Sequence, residues 1–244
     1  MLARVLKKAV RTISPCLNGG SLPIHDCAHF EDGVLWAVNG QGTIQAELDV
    51  HGVTASIPQK TLKAALRTFP ASEDVDVAPA GEGIALKSTI GTTTLAGVSR
   101  DDLPARNLDL TVVAEAKVEP HFDRAFAGVA VAASTNETKP ILTGVLIELS
   151  RKGVGLTATD SYRLHHIDLD ASVDGQATAI CPVGYTKALP TAEPVTVQVA
   201  ESHVRFTGGG VVVTLRSIEG EFPRYRQLIP TDTRQRALLD ETAG

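Results

Sequence analysis

Two short stretches indicate the fold because they resemble each other: Gly33-Val34-Leu35-Trp36-Ala37-Val38 and Gly153-Val154-Gly155-Leu156-Thr157-Ala158 align at an offset of 120 residues. The alignment continues to Thr43-Ile44 over Arg163-Leu164 at the same offset. Self-similarity at a fixed period is typical of a repeated structural unit. The sequence therefore predicts two copies of one module within the 244 residues.

The order of predicted elements is the same in both halves of the chain. Pro58 followed by Lys63-Ala64 matches Pro182 followed by Lys187-Ala188, here at an offset of 124. Each half has a helix, short alternating strands, a strand that ends at the proline, a second helix that begins there, and further strands. We predict an α+β fold, with the connection between modules around residues 101–107.

Composition limits the function classes. Hydrophobic residues make up 43% of the chain and aromatic residues 4%, and the net charge is -5. No stretch has the roughly 20 apolar residues of a membrane span, and no signal peptide is recognised at the start. The three cysteines lack metal-site spacing and are expected to be free thiols. We expect a soluble, intracellular protein without a metal or other cofactor.

Two helices each carry a wholly basic polar face. On the first predicted helix the apolar stripe includes Leu2, Val5, Leu6, Ala9, Val10 and Ile13, and the opposite face carries Arg4, Lys7, Lys8 and Arg11. On the second, the basic residues are Lys60, Lys63 and Arg67, and the second module adds Arg124 and Lys187. Basic faces on a net-acidic chain favour non-specific contact with phosphate over simple solvation.

No catalytic constellation is evident in the sequence. His165 and His166 are adjacent on a predicted strand, so their side chains point to opposite faces and do not favour one metal site. Gly208-Gly209-Gly210 lies between two predicted strands and indicates a turn, because no helix follows it as in a phosphate loop. We therefore predict that the protein is not an enzyme.

Three blocks of the second half resemble the middle domain of the bacterial DNA polymerase III β sliding clamp family. They are residues 132–145 (AASTNETKPILTGV), 158–164 (ATDSYRL) and 221–230 (EFPRYRQLIP), in the order and at about the separations of that family. Leu22-Pro23-Ile24 and Ile57-Pro58 are similar to its first domain. The resemblance implies a ring with antiparallel sheets outside and helices lining the hole, which encircles duplex DNA and tethers a DNA polymerase.

The resemblance also implies a pocket for short linear peptides of DNA polymerases and the clamp loader. Carried over by motif position, its residues are Leu142, Thr159, Ser161, Tyr162, Arg163, Leu164, Pro223, Gln227 and Leu228. An apolar floor with a few polar groups at the edge suits a peptide site, although some of these residues could simply pack beneath the sheet. Gln227 stands where the family commonly has Arg.

The number of modules in a ring suggests how many copies of this chain assemble. Three-domain members of the family reach six modules as dimers, so this chain is expected to form a homotrimer. We predict residues 1–108 as a first module that lacks its opening strand, and 109–234 as a second that has one. The hypothesis is that residues 235–244 form a strand that completes the first module of the next subunit. A frayed tail is the alternative.

Other functions remain open. A clamp-like decoy or inhibitor would bind clamp partners without encircling DNA, and it would not need the basic helix faces. An unrelated β-rich hydrolase or sugar-binding protein would need an acid-lined cleft. A shortened clamp further suggests a phage or mobile-element origin, with the protein acting in the cytoplasm of a bacterial or infected host cell.

Overall fold

The structure of the chain is a computed structural model, which describes residues 1–17, 23–101, 103–106, 109–119, 121–191 and 194–229. The predicted C-terminal strand at residues 235–244 lies outside the described residues, and the hypothesis about it stays a prediction.

Three α-helices and five short 3₁₀ helices are present in the described residues. The α-helices are α1 (Ala3–Ile13), α2 (Gln59–Thr68) and α3 (Phe122–Ala130). The 3₁₀ helices are Ser14–Leu17, Pro23–Asp26, Pro140–Leu142, Val183–Ala188 and Tyr225–Leu228.

The observed helices differ from the sequence expectations in three ways: where α2 begins, the type of one helix, and the exposure of one residue of α1. Pro58 is the N-cap of α2 rather than its first residue, since its extended backbone ends the preceding strand. The second helix of the second half is a 3₁₀ helix, Val183–Ala188. Val5, expected in the apolar stripe of α1, is 42% exposed.

Among the residues that the structure describes, seven strands lie in the first half of the chain and nine in the second. The first seven are β1 (Cys27–Glu31), β2 (Val34–Asn39), β3 (Gly42–Glu47), β4 (Ala55–Pro58), β5 (Asp76–Ala80), β6 (Gly83–Ser88) and β7 (Gly91–Leu95). The others are β8 (Val112–Val118), β9 (Gly144–Ser150), β10 (Gly153–Thr159), β11 (Leu164–Leu169), β12 (Ala171–Asp174), β13 (Ala177–Pro182), β14 (Val195–Ala200), β15 (His203–Gly208) and β16 (Val211–Arg216).

These strands form three antiparallel sheets. One sheet has nine strands in the order β12-β8-β14-β15-β16-β3-β2-β1-β4, so it runs through both halves of the chain. The halves meet where β16 pairs with β3. A four-stranded sheet, β11-β10-β9-β13, belongs to the second half, and a three-stranded sheet, β5-β6-β7, to the first.

Strand registers make the internal repeat explicit. The β6–β7 hairpin pairs Ile84 with Leu95, and the β15–β16 hairpin pairs Val204 with Leu215, which is an offset of 120. The β2–β3 and β10–β11 hairpins instead place β3 over β11 at an offset of 122. The aligned Thr43-Ile44 thus corresponds to residues 165–166 rather than 163–164, because the β10–β11 loop is two residues longer.

One continuous apolar core underlies both halves. In the first half α1 buries Leu6, Val10 and Ile13, and in the second half Phe122 and Phe126 of α3 pack their rings against Phe206. Removing one such fully buried aromatic side chain costs about 3–5 kcal/mol. The helices are therefore fixed against the strands, and their polar faces keep a defined direction.

Among the described residues, no helix has both the length and the apolar character needed to cross a membrane. Cys16, Cys27 and Cys181 are buried. Burial raises the pKa of Cys16 to about 12 and that of Cys27 to about 11.

Candidate nucleic-acid interface and partner groove

The first helix presents a basic face because all its apolar residues except Val5 are buried on the other side. Arg4, Lys8 and Arg11 are exposed, while Lys7 is half-buried and donates from Nζ to the carbonyl oxygen of Phe69 at 2.6 Å. Neither α1 nor α2 contains an acidic residue. The charge on these faces is thus of a single sign.

A groove between α1 and α2 brings the two basic faces together. It has a volume of about 340 Å³ and is lined by Lys7, Arg11, Lys63 and Arg67, with Val10 and Leu66 as its floor. Lys63 also donates to Oε1 of Gln59 at 2.6 Å. Basic residues from two separate helices therefore line one positively charged depression.

A larger cleft on the other side of α1 connects the two modules. Its volume is about 840 Å³, and it is lined by Arg4, Lys8 and Arg11 of α1 and by Lys187 of the second module. The β15–β16 turn closes one end, where Gly209 and Gly210 adopt φ of 53° and 73° as the sequence predicted for a turn. Arg11 contributes to both depressions.

The helices form a row, in which α2 contacts α1, α1 contacts the Val183–Ala188 helix, and that helix contacts α3. Lys60 is exposed on α2 and Arg124 on α3, at the two ends of this row. All nine residues expected to face DNA thus lie on one row of helices, which we call the basic surface: Arg4, Lys7, Lys8, Arg11, Lys60, Lys63, Arg67, Arg124 and Lys187. Seven of them line the two depressions, and Lys60 and Arg124 do not.

The basic surface is not neutralised by neighbouring carboxylates within the described part of the chain. The ion pairs in the described part of the chain join residues outside the basic surface, such as Arg100 to Glu31 at 3.3 Å and Arg163 to Asp160 at 2.9 Å. Unpaired cations attract counterions, and a polyanion that displaces those counterions gains binding free energy. The arrangement is suited to phosphate contact without reading bases.

A second candidate site surrounds the β10–β11 loop. The Asp160 carboxylate accepts hydrogen bonds from the backbone N–H groups of Tyr162 and Arg163, both at 2.9 Å, and from Nε of Arg163 at 2.9 Å. The two backbone hydrogen bonds, from Arg163 and then Tyr162, are the main stabilisers of the charged carboxylate and lower the pKa of Asp160. Ser161 adopts φ of 82°, an unusual conformation for a side-chain-bearing residue.

This tight loop projects Tyr162 into solvent, where it is 98% exposed. A groove of about 370 Å³ lies beside it, and we call it the loop groove. It is lined by Leu142, Ser161, Tyr162 and Arg163, which were expected there, and by residues Ala133, Ser134, Thr135, Asn136, Lys139 and Asp160. The expectations did not include the second group as site residues, although they belong to the 132–145 and 158–164 blocks.

The other five expected peptide-site residues do not line the loop groove. Thr159 is buried and donates from Oγ1 to the carbonyl oxygen of Arg163 at 2.7 Å, so it shapes the loop. Leu164 packs against a small cluster formed by Leu146, Ile180 and Tyr225. The remaining residues, Pro223, Gln227 and Leu228, are exposed on and before the Tyr225–Leu228 helix.

Tyr225 anchors that helix to the sheet. Its hydroxyl donates to Glu148, and Arg226 donates to the same carboxylate at 3.1 Å. Burial and the Glu148 hydrogen bond raise the pKa of Tyr225 to about 12. Leu228 of the same helix is 68% exposed.

No group of three or more potential metal ligands occurs in the residues that the structure describes. His165 and His166 separate as expected for strand neighbours. His165 Nδ1 lies 2.8 Å from the carbonyl oxygen of Gly128, and His166 Nδ1 lies 2.9 Å from Oγ1 of Thr157. Nδ1 of each histidine therefore takes part in a hydrogen bond within the second module.

Comparisons with known proteins agree with this architecture. Residues 118–224 match the family model described as DNA polymerase III beta subunit, central domain. The beta sliding clamp of Streptomyces coelicolor is 26% identical over 259 residues, covering 98% of this chain and 68% of that protein. The beta sliding clamp of Synechococcus elongatus is 25% identical, covering 82% of this chain and 56% of that protein.

Among solved structures, a Helicobacter pylori beta clamp bound to a DNA ligase peptide superposes with a TM-score of 0.78 at 16% identity. The match covers 95% of this chain and 69% of that chain. The chain therefore spans between about half and two thirds of the length of the clamps that it matches. The family model over residues 118–224, the curated relatives and the shared fold all point to the DNA polymerase III β sliding clamp family.

Proposed function

We propose that the protein is a DNA sliding clamp, a replication processivity factor that encircles duplex DNA and tethers a DNA polymerase. The observation that carries this proposal is the basic surface, which runs along contiguous helices from both modules of a chain with net charge -5. A protein that bound DNA by general adhesion would need no such restriction of its positive charge to one row of helices.

The proposed contact with DNA is electrostatic and independent of sequence. Lysine and arginine side chains that meet only phosphates give no preferred register, so the duplex can move along them at little cost. Acidic charge elsewhere on the chain opposes adhesion by other surfaces. In this function the protein itself has no catalytic step and uses no cofactor.

Partner proteins are proposed to bind the second module through short linear peptides. The loop groove, the exposed Tyr162 and the exposed Leu228 offer apolar and polar contacts of the kind that a peptide uses. The Helicobacter clamp in the comparison holds a DNA ligase peptide. By analogy we propose that peptides of the polymerase and the clamp loader bind at the nine expected peptide-site residues, of which Leu142 is the first in the chain and Leu228 the last.

Assembly into a homotrimer is part of the proposal. Two modules per chain and six per ring require three copies, with residues 1–108 and 109–234 as the proposed modules. A decoy that binds clamp partners without encircling DNA is the alternative, and it would share the loop groove. The alternative would leave the unneutralised basic surface without a role.

Topological binding separates the two functions. The protein is incubated with nicked circular DNA and the same DNA linearised, and bound protein is measured by gel filtration in about 150 mM salt. A sliding clamp is retained on the circle and slides off the free ends of the linear form. Equal retention on both forms would mean ordinary electrostatic binding, and no retention on either form would favour the decoy.

A further inference from the structure

The short 3₁₀ helix Tyr225–Leu228 depends on one side chain for its attachment to the second module. Tyr225 is buried, at 3% exposure, whereas the other three residues of the helix are exposed. The backbone N–H of Tyr225 donates locally, to the carbonyl oxygen of Pro223 at 2.7 Å. A single helical turn is not stable by itself, so the position of this helix depends on what holds Tyr225.

Tyr225 is held both at its ring and at its hydroxyl group. The ring lies against that of His166, with centroids 5.2 Å apart, and meets the ring of Phe222 edge-on at 6.3 Å. The hydroxyl group donates a hydrogen bond to the carboxylate of Glu148. The apolar body and the polar tip of the side chain therefore each have a partner, as a buried tyrosine requires.

Glu148 binds two consecutive residues of the helix. Its Oε2 atom accepts the hydroxyl of Tyr225 and, at 3.1 Å, a guanidinium N–H of Arg226. The guanidinium also lies over the Tyr225 ring, with Cζ 5.2 Å from the centroid. Hydrogen bonds to an ionised acceptor are stronger than those between neutral groups. One carboxylate thus fixes the start of the helix at two points.

The carboxylate itself projects from a rigid element. Glu148 belongs to β9, which is an inner strand of the four-stranded sheet and lies between β10 and β13. It pairs with Gly155 on one side and with Thr178 on the other. The side chain of Glu148 is 23% exposed. Groups carried by sheet strands hold their partners more precisely than groups on loops do.

His166 connects the same tyrosine to the strand that leaves the β10–β11 loop. Its Nδ1 lies 2.9 Å from Oγ1 of Thr157, and its Nε2 lies 3.2 Å from Oδ2 of Asp168. Leu164, two residues before His166 on β11, packs against the small cluster that contains Tyr225. The ring of Tyr225 is therefore in contact with the strand that carries one of the expected peptide-site residues.

We propose that Glu148 is a positioning residue for the proposed peptide site. Through its two hydrogen bonds it holds the Tyr225–Leu228 helix against the sheet, so that Gln227 and Leu228 keep a fixed place relative to β11. Side chains that are held in place before the peptide arrives lose less conformational entropy on binding, which favours affinity. The inference rests on the proposed function, because it concerns the same peptide site.

Glu148 acts on the peptide through the helix and not by contact. It was not among the nine expected peptide-site residues, and it does not line the loop groove. Any effect of Glu148 on peptide affinity must then pass through Tyr225 and Arg226. Residues that act through one another have non-additive effects, so removal of both partners should cost no more than removal of one.

The affinity of Glu148 variants for a peptide tests the proposal. We expect Glu148→Ala to weaken binding of a labelled DNA ligase clamp-binding peptide about tenfold, the effect of losing a hydrogen bond to a charged group. Glu148→Gln keeps an oxygen that accepts the Tyr225 hydroxyl, so it should recover most of the affinity. Fluorescence anisotropy titrations give the dissociation constants.

Glu115→Ala is the matched control for Glu148→Ala. The carboxylate of Glu115 on β8 accepts a hydrogen bond from Nε2 of Gln198 at 2.7 Å, so the control also removes a strand carboxylate with a side-chain partner. Glu115 does not line the loop groove. This variant should bind the peptide as the wild type does, whatever its melting temperature. Equal losses for the two variants would reflect lowered stability and would overturn the positioning role.

Two further readouts separate positioning from general stability. In a double-mutant cycle, Glu148→Ala combined with Tyr225→Phe should bind the peptide no more weakly than the weaker single variant. Without any peptide, trypsin should cut after Arg224 and Arg226 faster in Glu148→Ala than in the wild type or in Glu115→Ala, because local release of the helix exposes its backbone.

The possible outcomes distinguish this inference from the proposed function. The positioning role is overturned if Glu148→Ala binds the peptide as tightly as the wild type, or if trypsin cuts it no faster at these two sites. The proposed peptide site stands in both cases, because the wild type still binds. Failure of the wild type itself to bind the peptide would overturn the proposed peptide site, and the inference with it.

Discussion

Arg11 lies at the centre of the basic surface because it lines both the groove between α1 and α2 and the cleft between modules. We expect Arg11→Gln to weaken DNA binding equally for all sequences. The slope of log affinity against log salt should fall by about 0.9, the value for one lost phosphate contact. Fluorescence anisotropy with duplexes of different sequence at several salt concentrations measures both quantities.

The control for Arg11 is Lys152→Gln, which removes the same charge from the exposed β9–β10 turn. That turn lies outside the basic surface, so its variant should bind as the wild type does. Equal losses for the two variants would show that only net charge matters, and the basic surface would have no special role.

His29 is a residue whose burial should make the fold sensitive to acid. Its Nδ1 lies 2.8 Å from Oγ of Ser56, and its ring packs on Trp36 with centroids 4.6 Å apart. Burial, and then the charge of Arg100, lower the pKa of His29 from 6.5 to about 3. The unfolded chain therefore binds a proton between these values that the folded chain does not.

The free energy of unfolding should thus be unaffected by His29 above pH 6.5 and fall as the pH drops towards 3, by at most about 1.4 kcal/mol per pH unit. Urea unfolding of His29→Phe at several pH values should show a flatter profile than the wild type. The exposed His51 provides the control, and His51→Asn should leave the profile unchanged. Parallel profiles for wild type and His29→Phe would contradict this assignment.

At the scale of elements, the β10–β11 loop distinguishes the second module from the first. The corresponding β2–β3 hairpin turns within residues 39–42, whereas the longer loop carries Tyr162 into solvent. We expect Tyr162→Ala to weaken binding of a labelled DNA ligase clamp-binding peptide about tenfold, the effect of removing about 1.4 kcal/mol. The melting temperature should not change, because the side chain is not packed.

Val113→Ala serves as the comparison for Tyr162, since Val113 is 50% exposed on β8 and does not line the loop groove. Peptide titrations followed by anisotropy should show wild-type affinity for this variant. Undiminished peptide binding by Tyr162→Ala would remove the loop groove from the proposed peptide site.

The sequence predicted most elements because their patterns are local. Helical spacing located α1 and its basic face, and the two similar stretches at residues 33–38 and 153–158 located β2 and β10. β1 was missed, because four of its five residues are buried and no alternation marks it. The loop groove was only partly predicted, since residues 133–139 gave no chemical signal of their own and become wall residues only through contact with the β10–β11 loop.

At the scale of the whole molecule, the β16–β3 joint could not be predicted from the sequence. Its strands are separated by more than 160 residues, and their register depends on how two hairpins meet rather than on a local pattern. The repeat itself was predicted, and the sheet registers corrected its offset from 120 to 122 between β3 and β11.

The central claim is that copies of this chain close around DNA, and release of bound protein by cutting the DNA tests it most directly. The protein is bound to nicked circular DNA, unbound protein is removed by gel filtration, and the DNA is then cut at a single site. We predict that the protein stays with the intact circle and is released once the circle is cut. Equal retention before and after the cut would contradict a closed ring around the duplex.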